Sequence, residues 1–144
     1  MSSNAIVVDA SLAVKWVEDE PYSAQARALL GQWHHDDCTL LAPALFLYEV
    51  TNVLGKRLRR RQLTLEQAKE RLHYFHESGP VQQQISSVHP RSLELTERFG
   101  FSSAYDAHYL ALAGYESCEC WTADERLWNT VRHQLSWVRW IGES

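Results

Sequence analysis

Five short strand-like runs alternate with helix-patterned segments along this chain: Ala5–Asp9, Thr39–Ala42, Val81–Ser86, Glu119–Thr122 and Trp137–Ile141. Between them the apolar spacing is helical, over Ser11–Val17, Pro21–Trp33, Pro43–Arg61, about Thr64–Ser78, Pro90–Phe99, Tyr105–Tyr115 and Glu125–Gln134. The first run, Ala-Ile-Val-Val, is short, β-branched and apolar, as a strand buried on both faces requires. Strands separated by helices predict an α/β/α sandwich with a mostly parallel central sheet.

The punctuation agrees with that reading. Pro21 stands at a helix start. Thr64-Leu65-Glu66-Gln67 has the form of a capping box, and Gly79-Pro80 ends the helix that it opens. Ser102 or Ser103 is the expected cap before Tyr105. His34-His35 reads as loop. His73 and His76, three apart on a helix, read as an exposed face. The 144 residues suffice for one domain with a full core, expected to span 1–144.

Acidic residues punctuate the same pattern. Asp9 ends the first strand and Asp124 follows the fourth; Asp106 opens a helix. Each has an ordinary explanation, because Asp caps helices well. Glu49 is harder to dismiss. Its helical neighbours include Leu45, Phe46 and Val53, so it lies on or beside an apolar face. A lone carboxylate there is costly unless paired with an Arg or bound to a ligand. Asn52, one turn on, is placed to hydrogen-bond it. In doubly wound sheets ligands sit beyond the carboxyl ends of the strands, where strand order reverses. If the first strand neighbours the fourth, Asp9 and Asp124 meet there. Carboxylates brought close repel unless a cation lies between them, so a metal site is expected.

Composition narrows the alternatives. Charged residues are 22% and hydrophobic residues 45% of the chain, an ordinary globular balance. The polar start Met1-Ser2-Ser3-Asn4 shows no basic region followed by an apolar stretch, so no secretion signal is expected, and no apolar run is long enough to span a bilayer. Cys38, Cys118 and Cys120 suggest no disulfide framework, so a reducing cytoplasm is the expected compartment. The net charge of −4 argues against wrapping nucleic acid over the whole surface. Lys56, Arg57, Arg59, Arg60 and Arg61 nevertheless concentrate positive charge at one helix end, while Glu18, Asp19 and Glu20 form an acidic cluster. The basic run is either a solvated helix end or a track for RNA phosphates or an acidic partner. Trp121, Trp128, Trp137 and Trp140 are read as core, with a dimer patch as the alternative.

Four segments, in order, resemble the motifs of PIN-domain proteins: Val7-Val8-Asp9-Ala10-Ser11 with Lys15-Trp16; Tyr48-Glu49-Val50-Thr51-Asn52-Val53-Leu54; Tyr105-Asp106-Ala107-His108-Tyr109-Leu110-Ala111-Leu112-Ala113; and Trp121-Thr122-Ala123-Asp124-Glu125-Arg126-Leu127. At this length the chain looks most like VapC-type toxins of toxin–antitoxin pairs. The resemblance implies Mg2+-dependent cleavage of RNA, with Mn2+ as an alternative metal. Asp9, Glu49, Asp106 and Asp124 would form the acidic site, with Ser11 and Thr122 as supporting hydroxyls. It also implies a cognate antitoxin, whose flexible segment would fold between the Pro43–Arg61 helix and its neighbour, and a homodimer. Three other readings compete: a PIN-fold binding module that keeps its acids only as caps, a stand-alone PIN nuclease unrelated to toxicity, and phosphoryl transfer through Asp9. Against the last, Ser11 stands where a haloacid-dehalogenase-like phosphatase would place a second Asp.

Overall fold

In a computed structural model that describes residues 4–143, the chain alternates strand and helix throughout. Residues 1–3 of the polar start and Ser144, which the single-domain expectation includes, lie outside the described residues. The elements are β1 (Ala5–Val8), α1 (Ala10–Val17), α2 (Ser23–His35), β2 (Thr39–Pro43), α3 (Leu45–Arg59), α4 (Leu65–Ser78), β3 (Val81–Gln83), α5 (Val88–Phe99), α6 (Tyr105–Glu116), β4 (Glu119–Thr122), α7 (Glu125–Val131) and β5 (Val138–Trp140).

The sheet order is β3-β2-β1-β4-β5, and every pairing is parallel. Val7 at the centre is in register with Leu41 on one side and Cys120 on the other. The chain builds outward from β1 to β3, then crosses back to lay β4 against the free side of β1. The switch in winding therefore falls between β1 and β4, and the residues that follow these two strands face a common crevice. Helices cover both faces of the sheet. Helix α6 packs on β1, β2 and β4 and against α5, while α1 joins α2 and α3. Val7, Val8, Leu12, Ala13, Phe46, Val50, Leu110, Leu112 and Cys120 are buried in the core between these layers. The central strands are covered on both faces, which is why they read as apolar runs rather than as alternation.

Several boundaries differ from the sequence expectation, for local reasons. Pro21 lies in a turn before α2, which starts after Tyr22 in a left-handed conformation, φ 70°. His34 and His35 are the last residues of α2, not loop. Pro43 closes β2 instead of opening a helix, and α3 stops at Arg59; Arg61 turns left-handed, φ 59°. Strand β3 ends at Gln83. Helix α5 begins at Val88, which puts Pro90 in the first turn, where its missing N–H is no loss. Helix α7 ends at Val131, short of Gln134. Neither Ser102 nor Ser103 caps α6; its N-cap is Ala104, with no side-chain bond. The capping box of Thr64 and Gln67 is present in full.

Candidate active site

Asp9 is the N-cap of α1. Its Oδ1 accepts from the Leu12 amide at 3.0 Å and from Ser11 Oγ at 2.7 Å. The residue is buried, and burial pushes its carboxyl up to about 7; the hydroxyls of Thr122 and Ser11 and the Leu12 amide pull the other way. Asp124 is the N-cap of α7, with Oδ1 accepting from the Leu127 amide at 3.1 Å. The ordinary explanation for these two acids therefore holds as far as it goes: both cap helices.

Hydroxyls tie the two caps together. Thr122 Oγ1 accepts from the Asp124 amide at 2.9 Å and lies 3.4 Å from Ser11 Oγ. Ser11 Oγ also accepts from the Ala123 amide at 3.2 Å. The ends of β1 and β4 are thus fastened side by side, and Asp9 and Asp124 project from the fastening.

Neither Asp106 nor Glu49 is a helix cap, although Asp106 lies in the first turn of α6, where an acid suits the dipole. Asp106, in the first turn of α6, accepts no hydrogen bond from any described residue. Burial raises its carboxyl, and the negative charge of Asp124 raises it further. Glu49 is half-buried on α3, and no Arg among the described residues pairs with it. Its Oε1 accepts from the Tyr109 hydroxyl at 2.5 Å. Burial raises its carboxyl, the Tyr109 bond opposes that, and Asp106 adds repulsion. Tyr109 is 1% exposed, and burial beside the Glu49 charge keeps its phenol protonated well above the usual tyrosine range. Asn52 is exposed and hydrogen-bonded to no described residue, so it gives Glu49 no support.

Asp106 is the common member of this set, since it repels Asp9, Glu49 and Asp124 alike. It opens with Asp124 onto a cleft of about 350 Å3 whose wall includes Arg126. The Arg126 guanidinium forms no ion pair among the described residues. No three acidic, His or Cys side chains of the described residues stand close enough to make a ready cage for an ion. The donors are nevertheless the right kind for Mg2+ or Mn2+: carboxylate oxygens that form no ion pair among the described residues. Mg2+ keeps several waters and needs only one or two carboxylates, so an open acidic cleft suits it better than a closed cage.

The basic run divides in two. Arg57 turns back onto the acidic cluster, bonding Glu18 at 3.2 Å and also Glu20. Lys15 joins Glu20 at 3.0 Å, and Arg71 joins Glu18. Arg59, Arg60 and Arg61 are exposed and form no ion pair among the described residues. Arg57 is therefore not a free cation like the other three.

Sequence reasoning passed over Tyr109 and Arg126, although both lie within motifs it singled out. Tyr109 stands three residues after Asp106, one helical turn on. That spacing marks a shared face, but the partner lies 60 residues away on α3.

The sequence model of the PIN domain matches residues 6–132 of the chain. No curated protein matches it significantly.

Proposed function

The chain belongs to the PIN-domain family, whose members are generally metal-dependent nucleases, and we propose that it is a Mg2+-dependent endoribonuclease acting as the toxin of a type II toxin–antitoxin pair. The observation that carries this reading is Asp106: a half-buried carboxylate that, among the described residues, has no hydrogen-bond donor and no paired cation, and whose charge is coupled to those of three further acids. A first-turn acid suits the dipole of α6, but the dipole has no use for further acids crowded around it. A metal site does, because the repulsion stored among the acids is relieved when a cation enters.

Asp9, Glu49, Asp106 and Asp124 would hold the metal, which supplies an activated water and neutralises charge on the phosphate. The protein's own groups set the rest. Ser11 and Thr122 fix the rotamer of Asp9 from one side. Tyr109 fixes Glu49 and keeps its proton, since its phenol is held far above neutral pH. Arg126, at the cleft wall and in no ion pair among the described residues, is placed to take a phosphate oxygen of the strand. Tight cleavage of RNA in a cell demands control. We assign that control to an antitoxin whose flexible segment folds between α3 and α4 and sends an Arg into the acid cluster. A cytoplasmic homodimer completes the reading. None of the described helices is long and apolar enough to cross a membrane.

One observation favours the rival reading of a binding module: Asp9 and Asp124 do cap helices. The same variant decides both. Asp106→Asn should stay folded and lose RNA cleavage by about three orders of magnitude, the worth of several kcal/mol of metal-borne stabilisation. Parental cleavage by purified Asp106→Asn would refute the site. Growth arrest on expression, relieved by the adjacent upstream gene and lost in Asp9→Asn, is the expected result for a toxin; harmless expression of an active nuclease would leave a stand-alone enzyme.

A further inference from the structure

The first turn of α6 divides two clefts. Asp106 opens onto the acidic one, while Tyr105, its neighbour in the chain, lines the other. This second cleft, about 330 Å3, is walled by Tyr48, Tyr105, Gln83, Gln84, His89 and His108, and the rest of its lining is apolar. Tyr48 and Tyr105 are large aromatic rings left in water, 77% and 59% exposed. Each immediately precedes an acid of the site, Glu49 and Asp106 respectively. Among the described residues no Lys, Arg, Asp or Glu lines the cleft, so it suits neither a phosphate nor a cation.

Its polar groups suit an uncharged planar ring. The side-chain amides of Gln83 and Gln84 have no hydrogen-bond partner among the described residues, and each offers both a donor and an acceptor. His108 Nδ1 donates to the Ala104 carbonyl at 2.6 Å, so in neutral His108 the Nε2 accepts from His89 Nδ1 at 2.9 Å. That arrangement leaves His89 Nε2 as an unused acceptor. Aromatic rings for stacking, with amide and imidazole groups for edge contacts, are how single-stranded RNA bases are commonly held.

We propose that this cleft binds one unpaired nucleobase of the RNA, stacked on Tyr105 and Tyr48, adjoining the phosphate that lies at the acids. This rests on the nuclease reading, and it supplies what the acids lack: a contact that distinguishes an unpaired strand from a duplex. Both tyrosines are exposed, so replacing them leaves the core intact.

The test uses short single-stranded RNA carrying 2-aminopurine at each position in turn, bound to the Asp106→Asn protein, with cleavage measured separately on the parent background. One position should be strongly quenched, and Tyr105→Ala should abolish that quenching while Tyr105→Phe keeps it. In cleavage, Tyr105→Ala or Tyr48→Ala should raise KM about 10- to 100-fold with kcat nearly kept. An abasic nucleotide at the quenched position should cost the parent the same factor and the Tyr105→Ala variant almost nothing further. Uniform quenching with unchanged KM in both variants overturns the proposal and leaves the nuclease standing. If Tyr48→Ala instead converts a dimer to monomers with KM unaltered, the cleft belongs to a second copy of the chain, and the proposal is likewise overturned. Absence of cleavage by the parent counts against the nuclease reading alone, because the fluorescence experiment needs no turnover.

Discussion

Two clusters of carboxylates sit in this molecule, and they are built on opposite terms. Around Glu18 and Glu20 every acid has a cation. Arg57 and Arg71 hold Glu18, and Lys15 and Arg57 hold Glu20. Burial is the largest single influence on the Glu20 carboxyl and raises it, but the hydrogen bonds and charges of Lys15 and Arg57 together outweigh burial and lower it. Around Asp106 none of the acids forms an ion pair among the described residues, and burial and mutual repulsion raise Asp9, Glu49 and Asp106 together. The first cluster is finished without help and serves as a clasp between α1, α3 and α4. The second remains energetically incomplete, the usual condition of a functional site. The same residue type thus means structure in one place and chemistry in another, according to what surrounds it.

The sharpest way to break this comparison is to neutralise one acid in each cluster. Glu18→Gln leaves Arg57 and Arg71 facing a neutral amide in a largely buried setting. It should destabilise the metal-free protein by about 2–3 kcal/mol, less than a fully buried pair would lose because both arginines are partly exposed. Asp9→Asn keeps an oxygen for the Leu12 cap and removes a charge that burial disfavours, so at pH 8 it should stabilise by about 2 kcal/mol. Paired urea melts of the two variants read the signs directly. Two losses of similar size would mean that the acids near Asp106 are as well compensated as those near Glu18.

The pH dependence sharpens the same point. The folded Asp9 carboxyl stands near 7, above its ordinary value of 3.8, so between those values the folded state holds a proton that the unfolded state has released. Stability of the metal-free protein should therefore fall as pH rises from about 4 to about 7, then level off. Asp9→Asn should flatten that slope, and saturating Mg2+ should restore about 2–3 kcal/mol above pH 7, as ligand linkage requires. Melting temperatures across the range, with and without Mg2+, check it; rising stability through the window would reverse the assignment of Asp9 as an uncompensated acid.

A smaller effect belongs to Tyr109, whose hydroxyl is the one hydrogen-bond donor to Glu49 among the described residues. Tyr109→Phe retains the buried ring and deletes that bond. Mg2+ affinity should drop about ten-fold, the usual cost of losing a group that orients a ligand. Calorimetric titration of the variant measures it, and unchanged affinity would place Glu49 outside the metal's reach.

The alternation of strand and helix was legible because central strands must be apolar on both faces, and Ala5–Val8 is. The neighbouring of β1 and β4 was legible only as a condition on Asp9 and Asp124, and the pairing of Val7 with Cys120 meets it. Local signals such as Thr64 with Gln67 carry their own geometry and were read in full. What escaped were contacts between distant segments. Arg57 finds Glu18 and Glu20 nearly 40 residues earlier, and nothing within its own helix distinguishes it from Arg59. Tyr109 meets Glu49 across two helices, and a buried Tyr reads in sequence as one more core ring. The uncapped start of α6 was missed because its two serines offered a more familiar beginning.

That division of the basic run yields the weakest and most discriminating expectation. Arg59, Arg60 and Arg61 are exposed at the end of α3, with no carboxylate holding them among the described residues. If they touch RNA phosphates, Arg60→Ala with Arg61→Ala should weaken binding uniformly across sequences and lower the salt slope by roughly one to two units. Melting behaviour should barely change, since exposed unpaired cations contribute little to folding. Arg57→Ala should do the reverse, because its guanidinium is spent on Glu18 and Glu20: stability falls, and the salt slope holds. Binding titrations on single-stranded RNA between 50 and 200 mM salt, roughly the range in which counterion release is resolved, separate the two. An unchanged slope in the double variant would make the end of α3 a solvated surface or a seat for a protein partner. A slope lowered by Arg57→Ala instead would mean that RNA can compete with Glu18 and Glu20 for the same cation, and the contrast between a finished and an unfinished cluster would fail at its best-defined residue.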